Sequence, residues 1–461
     1  MTPSFLDRQN TVAPPGFDRF LVPPAALAVH LSIGQVYAFS TFNLPLTKLI
    51  GLKAPAPEDW KLATVGWTFS IAIAILGLSA AVFGRWVERV GPRKSMFMAA
   101  LCFSGGFMVA ALGVRLHELW LLYLGYGVLG GCGLGIGYIS PVSTLIKWFP
   151  DRPGMATGMA IMGFGGGALI AAPLSLLLME HFKTATSNGV LETFVTMGVI
   201  YFMFMMIGVY AVRVPAPDWK PAGWVPSVQP RALVTSSHVA VEMAWRTPQF
   251  WLLWVVLCMN VTAGIGVLGQ ASPMIQEIFN GKVSPAAAAG FVGLISLFNM
   301  AGRFFWASTS DYIGRRNTYM VFFLLGILLY STVPTLGHLG SVPLFVGAFC
   351  VILSMYGGGF ATVPAYLKDV FGTMHVGAIH GRLLTAWAVA GVLGPVLVNY
   401  IRQYQIDSGV PKAQAYSVTM YIMCGLLLIG FLCNLAMRAV DDKYLYRTPA
   451  TGDSLRGSAK A

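Results

Sequence analysis

The chain has 461 residues, 56% hydrophobic and 10% charged, with a mean hydropathy of +0.68 and a formal charge of +12. Soluble domains carry roughly 25% charged residues, so a water-soluble enzyme or nucleic-acid-binding domain is excluded and the expected class is an all-α polytopic membrane protein. Apolar runs of roughly 20 residues, the length of a helical span, set it apart from a barrel of short alternating strands.

The first 19 residues hold Asp7, Arg8, Asp18, Arg19 and three prolines, with no apolar signal-peptide core. The first helix is therefore expected to serve as an uncleaved anchor. Twelve transmembrane helices are expected near residues 20–46, 64–84, 95–114, 119–146, 154–179, 191–212, 249–273, 287–308, 317–337, 342–366, 379–400 and 415–437. The expected division is an N-terminal six-helix bundle over 1–212, a proline-rich cytoplasmic linker over 213–248, a C-terminal six-helix bundle over 249–438 and a disordered tail over 439–461. An even number of spans puts both termini on one side. That side and the loops facing it hold twenty-one of the thirty lysines and arginines, the opposite loops eight, and Arg303 is the remaining one. The positive-inside rule then places both termini in the cytoplasm, and the expected location is the cytoplasmic (inner) membrane of a bacterium. The +12 charge is thus a topology signal, with the bilayer and no nucleic acid as partner.

The two halves repeat. A shift of 223 residues lays Glu88 on Asp311, Gly91 on Gly314, Arg93 on Arg316, Gly135 on Gly358, Pro141 on Pro364 and Gly158 on Gly381. Duplicated six-helix pseudo-repeats with a site between them at mid-membrane are the architecture of an alternating-access carrier.

The stretch FVGLISLFNMAGRFFWASTSDYIGRR, Phe291 to Arg316, places one arginine inside an apolar helix. Such a residue costs about 2.5 to 3.5 kcal/mol on insertion scales, so it needs a partner or an anionic ligand. Asn299 at i−4 and Ser296 at i−7 share its stripe, which should face a cavity. The competing reading is that Arg303 snorkels to the helix end about 10 Å away. Glycine runs over Gly125 to Ser143 and Gly154 to Pro173 include GFGGG, which has no preceding strand and no following lysine. They are expected to let helices pack closely and rock, not to cradle phosphate.

GRWVERVGPRK (Gly84 to Lys94) and STSDYIGRR (Ser308 to Arg316) resemble the loop signature of the major facilitator superfamily. The resemblance implies a cytoplasmic gate of Glu88, Arg89 and Arg93 in one half and Asp311, Arg315 and Arg316 in the other. The first copy departs from the pattern, with Glu88 for aspartate and Pro92 for a basic residue. Within that superfamily, four stretches resemble the oxalate/formate antiporter family, related to the monocarboxylate transporters. They are SIGQVYAFSTFNLPL, GIGYISPVSTLIKWFPDRPGMATGMAIMGFGGG, NMAGRFFWASTSDYIGRR and TAWAVAGVLGP. This resemblance implies that Arg303 binds the substrate carboxylate, for which a guanidinium fork is well matched. Oxalate-exchanging members resemble one another in a lysine at mid-helix eleven, where this chain has Trp387, with Arg382 only near the helix start.

One central cation suits one carboxylate. The expected substrate is a monocarboxylate such as formate, lactate or pyruvate, moved by anion exchange or anion/proton symport, with oxalate/formate antiport of a dicarboxylate as the alternative. Gln35, Tyr37, Tyr138, Tyr356, Trp387 and Gln270 are candidate pocket walls with Asn299; for most of them helix packing is the competing reading. No aspartate or glutamate lies at mid-span, so a proton would travel on the substrate or on His30 or His380. The six cysteines lie in apolar segments without metal spacing, and neither a metal nor a cofactor is expected. The protein is expected to be a monomer and not an enzyme, since no loop could hold a catalytic domain; a transporter-like sensor is the distant alternative.

Overall fold

The computed structural model describes residues 4–445 apart from 53, 225–232, 236, 269, 270 and 281. Gln270 and the tail beyond 445 lie outside the described residues. Among the described residues, twelve apolar helices are long enough to span a bilayer. They are α1 (Arg19–Ala38), α2 (Thr64–Val90), α3 (Pro92–Leu116), α4 (Leu119–Trp148), α5 (Pro153–Phe182), α6 (Val190–Ala211), α7 (Pro248–Leu268), α8 (Gly290–Ile313), α9 (Arg315–His338), α10 (Val342–Phe371), α11 (Val376–Asp407) and α12 (Lys412–Leu435).

Several helices outrun their apolar stretches. The second was expected to end near residue 84, yet α2 runs through Arg85, Glu88 and Arg89 to Val90. Hydropathy ends where charge begins, whereas a helix ends where its backbone can no longer continue. That point is Gly91, whose φ of 86° is open to glycine and strained for other residues; Gly314 repeats it with the same φ between α8 and α9. Conversely, the first expected span, 20–46, is broken: α1 tightens over Gly34–Ala38, and a separate short helix covers Ser40–Leu46. A Cβ on Gly34 would lie 2.2 Å from the Phe164 carbonyl oxygen, so α1 is pressed against α5 at the break.

The packing is the same in both halves. In the first, α1 packs on α5 and α6, α2 on α4, and α3 on α4 and α6; in the second, α7 packs on α11 and α12, α8 on α10, and α9 on α10 and α12. The halves meet chiefly through α5 against α8 and α2 against α11, which the repeat also exchanges. Both seams are lined by glycine. An added Cβ would meet the Ala307 carbonyl at 2.1 Å from Gly154, the Arg303 carbonyl at 2.9 Å from Gly158, and the Ala80 carbonyl at 2.1 Å from Gly381. GFGGG is shared between this seam and the helix contact within the first half, with Gly165 facing Met300 of α8 and Gly167 facing Leu31 of α1.

Val12 pairs with Val214 and Val239 with Leu445, so both described ends and the segment between α6 and α7 share one face, called here the terminal face.

Candidate substrate site and gate

Arg303 lies near the middle of α8 and is fully buried, so it does not snorkel. Its Nε donates to Asn299 Oδ1 at 3.3 Å and its Nη1 to the Ile161 carbonyl of α5 at 3.2 Å, while Nη2 has no partner among the described residues. Phe164 of α5 and Phe360 of α10 flank the guanidinium, each ring centroid 5.6 Å from Cζ. The charge is thus held between the halves by two hydrogen bonds and two ring faces, and one arm of its fork is left over.

Aromatic rings surround this group. Trp387 of α11 stands 4.6 Å from Phe360, 5.6 Å from Phe164 and 5.4 Å from Tyr138, and Tyr37 stands 5.0 Å from Phe164. The hydroxyls of Tyr37 and Tyr356 meet across the halves at 3.5 Å. The Tyr138 hydroxyl and the Trp387 indole nitrogen are buried without partners among the described residues. With Arg303 Nη2, the cluster therefore holds three unused donors.

A cavity of about 390 Å³ lies above this cluster, away from the terminal face. Tyr37, Gly165 and Asn299 form its inner end, while Gly66, Leu268 and Val292 line it near the helix ends of the opposite face. None of its described lining residues is Asp, Glu, Lys or Arg. Arg303 sits at the floor, behind Asn299 and beside Gly165.

The terminal face is closed by two related contacts. The helix of α5 starting at Pro153 and that of α11 starting at Val376 have no side-chain cap of their own. Asp311, from the opposite half, accepts from Gly154 N and Met155 N, both at 2.9 Å; Glu88 accepts from Ala378 N at 3.1 Å and faces His375 Nδ1 at 3.3 Å. Each acid therefore caps the positive end of a helix across the seam. Thr157 adds a hydrogen bond to the Ala361 carbonyl at 2.6 Å.

Residues 16–395 match the Major Facilitator Superfamily. The chain belongs to that superfamily. Among curated relatives, the oxalate:formate antiporter of Oxalobacter formigenes is 26% identical over 377 residues, covering 81% of this chain and 82% of that protein. Apicoplast pyruvate carrier 1 of Toxoplasma gondii is 24% identical over 383 residues, covering 71% and 68%. The solved proton:xylose symporter XylE shares the fold, with a TM-score of 0.69, 14% identity, and coverage of 90% of this chain and 94% of that one. The protein is a facilitator-type transporter, not an enzyme.

In this facilitator the residues singled out from sequence separate into three groups. Tyr37 and Asn299 line the cavity, and Arg303, Tyr138, Tyr356 and Trp387 form the buried cluster beneath it. Gln35 turns away toward α4, accepting from the Tyr126 hydroxyl at 2.8 Å. His30 and His380 are buried on either side of Tyr138, at ring distances of 5.4 and 5.9 Å, on the terminal side of the cluster.

Of the gate residues, Arg315 bonds Asp311, Ser310 and Asp369 within its own half. Arg93 and Arg316 do not reach the seam, contrary to the latch that the loop signature implies. Arg93 Nη2 donates to the Val212 carbonyl and Arg316 Nη2 to the Leu435 carbonyl, positions again 223 apart, so each ties α6 or α12 to its own half. A cation at a helix C-terminus satisfies carbonyls that lack helical partners. Arg89 is exposed. Arg382 donates to the Val241 carbonyl on the terminal face, five residues before Trp387 in α11.

Sequence reading missed Phe164, Phe360 and His375. The 223 shift could have found His375, since it pairs that residue with Arg152 at the other helix start. The two phenylalanines carry no such signal, because their role depends on which ring meets the guanidinium.

Proposed function

We propose that this facilitator carries small monocarboxylate anions, of the size of formate, lactate or pyruvate, by alternating access. The observation that carries the reading is the unused Arg303 Nη2, buried behind Asn299 beneath a cavity whose described lining carries no charge. A carboxylate moving past that lining meets one cation and neutral donors from Tyr138 and Trp387. The apolar rings make it a dry site, where the charge pair is worth more than in water. A second carboxylate would find no second cation among the described lining residues, which weighs against oxalate.

The six-helix halves 1–212 and 249–438 are the rocking units, joined by the linker 213–248. With the terminal face in the cytoplasm of a bacterium, as the basic loops indicate, the cavity faces outward and the acid-capped helices keep the inner side shut. Release inward requires Asp311 and Glu88 to leave their helix ends. Exchange and proton symport both fit this cycle, the latter with the proton on the substrate or on the histidines beside Tyr138.

The test is uptake of labelled formate, lactate, pyruvate and oxalate into liposomes holding the purified protein, with and without internal counter-anion and with a pH gradient. Monocarboxylate uptake that Arg303→Lys lowers by about tenfold or more is the expected result, since lysine keeps the charge and loses the planar fork. Oxalate preferred over every monocarboxylate would refute the one-cation argument.

A further inference from the structure

The terminal face holds a second cluster of cations that the transport cycle does not use. A cavity of about 340 Å³ opens there at the seam, lined by Arg8, Arg85, Glu88, Arg89, Lys147 and, from across the seam, His375; Glu242 of the linker closes one side. A smaller space of about 60 Å³, sharing Arg8, Glu88 and Lys147, continues it inward past Ser140 and Thr144.

Its two acids are already committed. Glu88 caps α11 and faces His375, and Glu242 pairs with Arg85. That leaves Arg8, Arg89 and Lys147 with no ion pair among the described residues. The guanidinium of Arg8 donates only to the Glu88 carbonyl at 3.4 Å. The Lys147 side chain is partly buried between the two spaces, is attracted by Glu88 beside it, and makes no hydrogen bond among the described residues. Three like charges around one cleft repel one another, and one carboxylate already engaged at a helix end does not balance them. Positive-inside topology explains why these residues are basic, but not why they converge on a cleft with their acids engaged elsewhere.

We propose that this cleft binds an anion carrying two or more charges, of the phosphate or diphosphate class, and that the bound anion holds the terminal face closed. An oxyanion of that size can meet Lys147 and Arg89 from the first half while accepting from Nε2 of His375 of the second when that imidazole carries both protons, its Nδ1 facing Glu88. It thus joins the halves beside the Glu88 contact, so the state with its cavity on the opposite face is favoured while the anion stays bound. The cleft is separate from the Arg303 site, and the proposal does not depend on what that site carries.

The experiment is titration of the purified detergent-solubilised protein with inorganic pyrophosphate at constant ionic strength, read by calorimetry and melting temperature, with Arg89→Gln, Lys147→Gln, the double variant and Lys61→Gln of the opposite face as control. Saturable binding is expected, weakened about tenfold or more by each cleft substitution because a charge-assisted hydrogen bond is lost, and unchanged by Lys61→Gln. Competition by phosphatidic acid in mixed micelles would place the phosphate on a lipid headgroup, and its absence would place it on a free anion; either supports the site. Equal binding by a double variant that still melts cooperatively, or no saturable binding by the unmodified protein, overturns it.

Discussion

Asp311→Asn tests the closure of the terminal face most directly. Asp311 accepts two backbone N–H groups of α5 from the other half. Its pairing with Arg315 lies within one half, which a rigid-body opening of the seam leaves intact, so only the two cross-seam bonds count. An asparagine keeps one acceptor, turns its amide toward the second N–H and removes the charge at the helix end. Loss of an N-cap costs about 1 kcal/mol and loss of the charge–dipole attraction up to about 1 kcal/mol more. The closed state should lose about 2 kcal/mol, roughly 30-fold in its ratio to the opened state. The assay is labelling of Ser143→Cys, in a background without the native cysteines, by an impermeant thiol reagent added at the terminal face. Ser143 is 6% exposed and faces Gly377 across the seam. The labelling rate should follow the opened population and rise by tens of fold. Glu88→Gln, whose amide oxygen can still accept from Ala378 N and which loses only the charge at the helix end, should raise it about fivefold. A folded Asp311→Asn protein labelled within twofold of its parent would refute the capping argument.

Other outcomes follow from the same geometry. Gly381→Ala places a Cβ about where the Ala80 carbonyl stands, so the seam cannot shut and Ser143→Cys should label quickly even with both acids intact. Tyr37→Phe removes the hydroxyl meeting Tyr356 at the cavity floor, and substrate affinity in uptake assays should fall by about tenfold or less, the worth of one neutral hydrogen bond. Trp387→Lys supplies a second central cation and should raise oxalate uptake relative to formate in the same liposomes. In the loop before α2, burial alone would raise the Asp59 carboxyl, but backbone N–H groups of Ala56, Ile50 and Gly51 outweigh it and hold it below its ordinary 3.8. Its stabilisation is therefore full above that ordinary value and lost as pH falls through the lower folded value. Asp59→Asn should increase proteolysis of this loop at neutral pH, and the difference from the parent should vanish in strong acid.

Much of this was legible in the chain because the bilayer imposes a simple rule. Every span must be apolar and helical, so hydropathy located twelve helices, and a single buried arginine stood out against them. The 223 shift exposed the duplication, and Asn299 could be placed with Arg303 by helical spacing alone. Helix ends were misjudged where charge follows the apolar run without a break in the backbone, as at Arg85 to Val90. Gln35 was misjudged as a wall because a polar residue on α1 has more than one helix to face, and α4 offered Tyr126.

The sequence by itself determined the class, the topology and the cation at mid-membrane, since these follow from local cost: charge in hydrocarbon, or glycine at a left-handed turn. Only the tertiary structure decided the rest. That Asp311 and Glu88 cap helices of the other half, that Arg93 and Arg316 do not reach the seam, and that Phe164 and Phe360 hold the guanidinium are facts about partners distant in the chain. Their geometry is fixed by how the two halves meet along α5, α8, α2 and α11, and no local pattern records it.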